Sequence, residues 1–193
     1  MRRLAHAPCS LVVAMIAACG APAVTPAAQW PTMTLAATSG ETAVYPRDLA
    51  SSRFTVFVFF AKDCPCFGAH EARLRALVDK YGARGVRFVI VDPEVGHTVE
   101  DDARAVSSRH LPGPVFLDSG ARLASMVGAV YATYSVVVDA SGQIRYRGGI
   151  DSDKSHLQAD TTPYLADALD DLTAGRAPRR AEGKTLGCAL QMW

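Results

Sequence analysis

The eight residues Arg53-Phe-Thr-Val-Phe-Val-Phe-Phe60 run directly into Ala-Lys-Asp63-Cys64-Pro65-Cys66. The run is β-branched and aromatic with no polar alternation, which is how a strand buried on both faces reads. After the cysteines, Phe67, His70, Leu74, Leu77, Val78 and Tyr81 recur at helical spacing. Proline is preorganised for the first turn of a helix, so Pro65 marks its start. A buried strand that passes straight into a helix commits the chain to a crossover unit, and so to an α/β sheet with helices over it.

The downstream pattern continues in the same way. Gly82 and Gly85 bracket the helix exit, and Val86–Val91 reads as a second buried strand. Thr98–His110 reads as a polar helix, Val115–Asp118 as a short strand and Ser119–Val127 as a short helix. Tyr134–Asp139 and Ile144–Arg147 read as a hairpin about the turn Ala140–Gln143. Thr161–Thr173 reads as a last helix, with Tyr164, Leu165, Ala168, Leu169 and Leu172 on one face. Upstream, the Ser39-Gly40 turn within residues 32–50 suggests a further hairpin. The expected fold is a three-layer α/β sandwich in one domain, a mixed central sheet flanked by helices with an N-terminal hairpin extension. A chain of 193 residues has room for one such domain with appendages.

The first residues are set apart from this domain. Arg2 and Arg3 precede an apolar run, Leu11–Ala18, that is too short to span about 30 Å of hydrocarbon as a helix but suits a signal-peptide core. The run ends Ile16-Ala17-Ala18-Cys19-Gly20, which looks like a lipobox, with Cys19 as the residue that would receive lipid. An ordinary secretory signal cut near Ala23 or Ala28 is the plainer alternative. We therefore expect a signal peptide over 1–18 and an Ala/Pro/Thr-rich tether over 19–31. The domain would cover 32–175 and a C-terminal tail 176–193. The expected location is extracytoplasmic, in the periplasm and lipid-anchored to the membrane, with Gly20 rather than Asp pointing to the outer membrane.

Loss of 1–18 removes Arg2 and Arg3 from 20 basic residues and none of the 19 acidic ones, so the remaining chain is near neutral. Without a basic surplus nothing favours a nucleic-acid partner. Three thiols remain besides Cys19: Cys64, Cys66 and Cys188. An odd number in an oxidising compartment, two close together and one distant, points to redox or metal chemistry rather than a purely structural framework. Cys64 falls at or just before a helix N-terminus, where unpaired N–H groups and the dipole favour a thiolate, the attacking species in disulfide exchange.

The region 54–193 resembles the thioredoxin-fold redoxins of the thiol-disulfide oxidoreductase and AhpC/TSA type. The resemblance rests on the strand before Asp63-Cys64-Pro65, on Val86-Arg-Phe-Val-Ile-Val-Asp92, and on Pro114-Val-Phe-Leu-Asp118 with Gly128-Ala129. It continues in Val137-Val-Asp-Ala-Ser-Gly142, Tyr146-Arg-Gly-Gly-Ile-Asp151 and the late Gly187-Cys188. It implies that Cys64 attacks a disulfide of a protein partner and that a second thiol resolves the mixed disulfide. Cys66 is the expected resolving residue and Cys188 the alternate. Two departures stand out. Only Pro65 separates Cys64 from Cys66, and in a helix positions i and i+2 point apart, so a bond between them needs Cys64 outside the helix. The family's cis-proline position is Tyr134, in Thr133-Tyr134-Ser135, where we expect a trans bond.

Two other activities compete. Cys66 and His70 are four apart on one helical face, and Cys64, Cys66 and His70 would suit copper(I) or zinc in a metallochaperone of this fold. The plainer reading of His70 is a buried, hydrogen-bonded side chain. Disulfide exchange itself needs no cofactor. A thiol peroxidase is the third reading, but Phe57 and Ala61 stand where peroxiredoxins carry a proline and a hydroxyl residue. The acids of Asp92-Pro93-Glu94, Glu100-Asp101-Asp102 and Asp151/Asp153 read as turn and helix-start residues. His97, His110 and His156 read as solvated. Arg176-Ala-Pro-Arg-Arg180 reads as a basic linker with a modest attraction for anionic lipid.

Overall fold

The computed structural model describes residues 30–193; the signal-peptide, lipidation and most of the tether expectations, Cys19 among them, fall outside these residues. Seven strands form one mixed sheet in the order β2-β1-β5-β4-β3-β6-β7. They are β1 (Met33–Ala37), β2 (Thr42–Tyr45), β3 (Phe54–Phe59), β4 (Val86–Asp92), β5 (Val115–Leu117), β6 (Ser135–Asp139) and β7 (Ile144–Gly148). Four helices flank it: α1 (Pro65–Gly82), α2 (Val99–Arg109), α3 (Arg122–Val127) and α4 (Tyr164–Thr173). This is the expected α/β thioredoxin-like architecture, with the N-terminal hairpin β1–β2 extending the sheet through β5.

Strand β3 has no polar alternation because it has no solvent face. All six of its residues are buried, with β4 parallel on one side and β6 antiparallel on the other. Phe57, Phe59 and Phe60 are wholly enclosed. At about 1.5–3 kcal/mol for each large apolar side chain, this strand supplies much of the burial that holds the domain together. The crossovers β3-α1-β4 and β4-α2-β5 join parallel neighbours. Helices α1 and α4 lie against one another, the Tyr81 hydroxyl donating to the Ala166 carbonyl at 3.0 Å.

Element ends depart from the sequence pattern where local backbone chemistry intervenes. Helix α3 starts at Arg122 rather than near Ser119, because Gly120 (φ 76°) and Ala121 (φ 50°) turn through the left-handed region. Helix α4 begins after Pro163, not at Thr161. The last tether residues already belong to the domain: the Trp30 indole donates to the Gly142 carbonyl at 2.8 Å and its ring lies 5.8 Å from that of Phe57.

The tail, 176–193, folds back onto the domain. Its basic stretch is used internally rather than held out as a free cationic linker. Arg176 and Arg179 both bind the Asp171 carboxylate, and the Arg180 guanidinium sits 4.8 Å from the Tyr164 ring centroid. Those two arginines, through hydrogen bonds and charge, hold the Asp171 carboxyl well below the usual carboxylate range. Farther on, Ala132 N–H donates to the Cys188 carbonyl and Leu190 N–H to the Val130 carbonyl, with Tyr131 and Ala189 bridged antiparallel. Gly187 is required there: a Cβ at that position would lie 1.8 Å from the Ala132 oxygen.

Candidate redox site

The β3–α1 junction places the cysteines. Cys64 is the N-cap of α1, in extended backbone (φ −84°, ψ 111°), and Pro65 occupies the first turn. Being outside the helix frees the Cys64 side chain from the geometry that sends i and i+2 apart. Its sulfur accepts from the Phe67 N–H at 3.4 Å, so one of the unpaired N-terminal donors of α1 is spent on it. The loop ahead of Cys64 is fastened by Arg109 at the end of α2. That guanidinium donates to the Lys62 carbonyl and to Glu71, each at 2.5 Å, and lies over the rings of Phe60 and Phe67.

Cys64 is bonded to Cys188, with Cα atoms 5.8 Å apart and a sequence separation of 124. Cys66, the expected partner, carries a free thiol and is buried at 2% exposure. Its sulfur lies within 4.8 Å of the other two, so the fold gathers all three into one cluster. The disulfide is enclosed on the Cys64 side (4% exposed) and half-buried at Cys188. Beside Cys188 the strip that pairs with the tail exposes Val130 at 48% and Tyr131 at 42%.

His70 is not gathered with these sulfurs. It is buried, with Nδ1 at 2.7 Å from the Cys66 carbonyl oxygen and Nε2 at 3.0 Å from Asp151 Oδ1. Both nitrogens face acceptors, so only the doubly protonated ring satisfies both. Burial alone would push this imidazolium down; the Asp151 hydrogen bond, the Cys66 carbonyl and the Asp151 charge outweigh it and leave the pKa raised. Asp151 is lowered in turn, the His70, Asp153 and Arg73 contacts overcoming its own burial. Arg73 bridges Asp151 (2.6 Å) and Asp153 (2.8 Å). Sequence separation hid this network, since His70 and Asp151 are 81 residues apart. The plainer expectation for His70, a buried and hydrogen-bonded side chain, is what the fold produces.

A second histidine–carboxylate group departs from expectation. Asp92 closes β4, and its Oδ2 lies 2.6 Å from His97 Nδ1, so His97 is a partly buried, paired residue rather than a solvated one. Asp101 serves as expected, completing a capping box with Thr98. Asp102 does not: it is wholly buried, and no donor reaches either of its oxygens. Burial first, and then the neighbouring Asp92 carboxylate, push the Asp102 carboxyl up to about 8. The sequence held a signal for this, because Asp102 shares a helical face with Ala105 and Val106.

The peptide before Tyr134 is trans, the cis bond among the described residues being Tyr45–Pro46. Thr133, ahead of it, adopts a left-handed φ of 71° and its N–H donates to the Phe59 carbonyl, so this loop abuts the end of β3.

A mixed sheet flanked by helices, with a cysteine capping the helix that follows its central strand, is the architecture of the thioredoxin-like fold. The family model described as Redoxin matches residues 21–162, and the chain belongs to that family. Solved structures agree on the fold. An uncharacterized conserved protein from Geobacillus kaustophilus superposes with a TM-score of 0.74 at 22% identity, covering 84% of this chain and 89% of that one. A hypothetical protein from Sinorhizobium meliloti gives 0.76 at 18%, covering 88% and 96%. StoA from Bacillus subtilis gives 0.51 at 17%, covering 61% and 86%. Among curated proteins no match was found.

Proposed function

We propose that the protein is an extracytoplasmic thiol-disulfide oxidoreductase whose working couple is Cys64 and Cys188, with Cys66 held beside it. One observation carries this reading: a disulfide and a free thiol share one cluster at the cap of α1. In the reduced form, Cys64 thiolate attacks one sulfur of a partner disulfide. A mixed disulfide forms, and the partner's other sulfur leaves as a thiolate and takes up a proton. Cys188 thiolate then attacks Cys64, closing the Cys64–Cys188 bond and releasing the partner's second sulfur. The partner gains two electrons and the chain loses two; run in reverse, the same steps oxidise a partner dithiol. The α1 N-terminus and the Phe67 N–H stabilise negative charge on the Cys64 sulfur at each exchange.

Protein disulfides are preferred to peroxide as substrate for two reasons. Neither Phe57 nor Ala61 offers a hydroxyl, and the exposed Val130 and Tyr131 beside Cys188 form an apolar rim suited to a polypeptide. The Ile16-Ala-Ala-Cys19 sequence supports export and attachment to the membrane through lipid on Cys19. A second reading rests on the sulfur cluster alone. Once reduced, Cys64, Cys66 and Cys188 offer three soft ligands for copper(I) or zinc, without His70.

The test is exchange with a model protein disulfide such as insulin. Cys64→Ser should lower the rate at least a hundredfold, and Cys188→Ser should accumulate a mixed disulfide through Cys64. An undiminished rate in Cys64→Ser would overturn the reading.

A further inference from the structure

We propose that Asp92, His97 and Asp102 form a binding site for a divalent first-row transition-metal cation, zinc or manganese, separate from the cysteines. One ligand atom from each of the three lies within 4.8 Å of the other two. The three come from one short stretch of chain: the end of β4, the loop after it, and the first turns of α2.

The second observation is Asp102. It has no exposed surface, and neither carboxyl oxygen meets a donor. It does not cap its helix, because Thr98 and Asp101 already serve the α2 N-terminus in a reciprocal capping box. A buried carboxyl group without a partner costs free energy, and buried acids are ordinarily paired or metal-bound. Its nearest neighbour offers no donor of its own, only the sharing of a single proton between the Asp102 and Asp92 carboxyl groups. Asp92 is another buried acid, and Glu94 Oε2 stands 3.8 Å from His97 Nδ1, adding a third carboxylate around one imidazole. A cation placed among Asp92, His97 and Asp102 would satisfy both Asp102 and the surplus of acids, taking the place of the proton now held between His97 and Asp92. The ligand set is two hard oxygens and one borderline nitrogen, which disfavours copper(I) and suits zinc or manganese. For zinc bonds of roughly 2.0–2.2 Å, His97 Nδ1 and Asp92 Oδ2, now 2.6 Å apart across a hydrogen bond, would have to spread as the proton between them leaves. Glu94 is placed to supply a fourth ligand, although its Oε1 now accepts from the Gln191 N–H.

The full chain, with Cys64–Cys188 oxidised and Cys66→Ser to remove the free thiol, is titrated with Zn(II) and separately with Mn(II) by calorimetry. One equivalent of at least one metal should bind. Asp102→Asn, nearly isosteric, and His97→Gln, which alters the most accessible of the three ligands, should each weaken binding at least tenfold while leaving disulfide exchange unchanged. Cobalt(II) as a spectroscopic stand-in should show no sulfur-to-metal charge transfer. Absence of binding by either metal would leave a proton shared between two carboxylates and overturn the site. So would full affinity in both variants, or a sulfur charge-transfer band. Should Asp102→Asn misfold, His97→Gln decides.

Discussion

His70 and His97 both meet buried aspartates, and they do so in opposite ways. Around His70 the charges close: two cations, His70 and Arg73, face two anions, Asp151 and Asp153. Asp151 Oδ1 also accepts from the Asp153 N–H, and Asp153 accepts from the Gln158 N–H. Around His97 they do not close, because Asp92, Glu94 and Asp102 surround a single imidazole and Asp102 meets no donor. The closed network ties α1 to the segment after β7 and needs nothing further. The open one has spare ligand capacity. Burial of acids therefore says little by itself; whether their partners are all present separates a structural bridge from a site.

Substitution breaks this comparison most sharply at the closed network. Asp151→Asn leaves the His70 and Arg73 charges without their shared anion, and removal of one partner from a buried pair costs about 3–5 kcal/mol. Denaturant unfolding should show that loss. A difference below about 1 kcal/mol would mean that the network is not charged.

The pH dependence is the next discriminator. His70 is raised in the folded protein, so its contribution is complete below its ordinary value of 6.5 and is lost as pH rises through the raised folded value. Asp151 is lowered, so its contribution is present above its ordinary value and fades as acid protonates the folded carboxylate. Thermal stability of the wild type should therefore decline from mildly acidic toward alkaline pH. In His70→Gln that decline should be shallower, the remainder coming from the buried Asp102 carboxyl, which must give up its proton over the same range; an identical decline in both proteins would remove His70 as a cause.

The smallest effect belongs to the open cluster. Without added metal, Asp102→Asn should destabilise the fold by less than about 1 kcal/mol, since the amide can still donate to Asp92 and, unlike the buried carboxyl, needs no proton to stay neutral. A loss comparable to that of Asp151→Asn would show that Asp102 has a partner and that the two clusters are alike.

The sheet and the cysteine-capped helix were legible in sequence because both are local. The unbroken run before Ala61 declared a central strand, and Pro65 declared the start of α1. Where the pattern misplaced an end, a left-handed turn at Gly120-Ala121 or the proline at 163 had shortened a helix. Cys188 as the partner of Cys64 could not be ranked above Cys66 from spacing. The choice depends on a tail that returns across 124 residues and threads Gly187 past the Ala132 carbonyl. His70 with Asp151 was hidden for the same reason. Asp102 was legible in principle, since its helical neighbours at three and four residues, Ala105 and Val106, are apolar, but acids at a helix start are so commonly caps that the burial passed unnoticed.

Non-reducing peptide mapping of the native full-length chain tests the cysteine assignment most directly. Cleavage after Lys62, Arg73 and Lys184 yields one peptide with both Cys64 and Cys66 and another with Cys188. The expected product is these two peptides joined, with fragmentation placing the bond at Cys64 and Cys66 alkylated only after unfolding. An internal Cys64–Cys66 bond with Cys188 alkylated would contradict it.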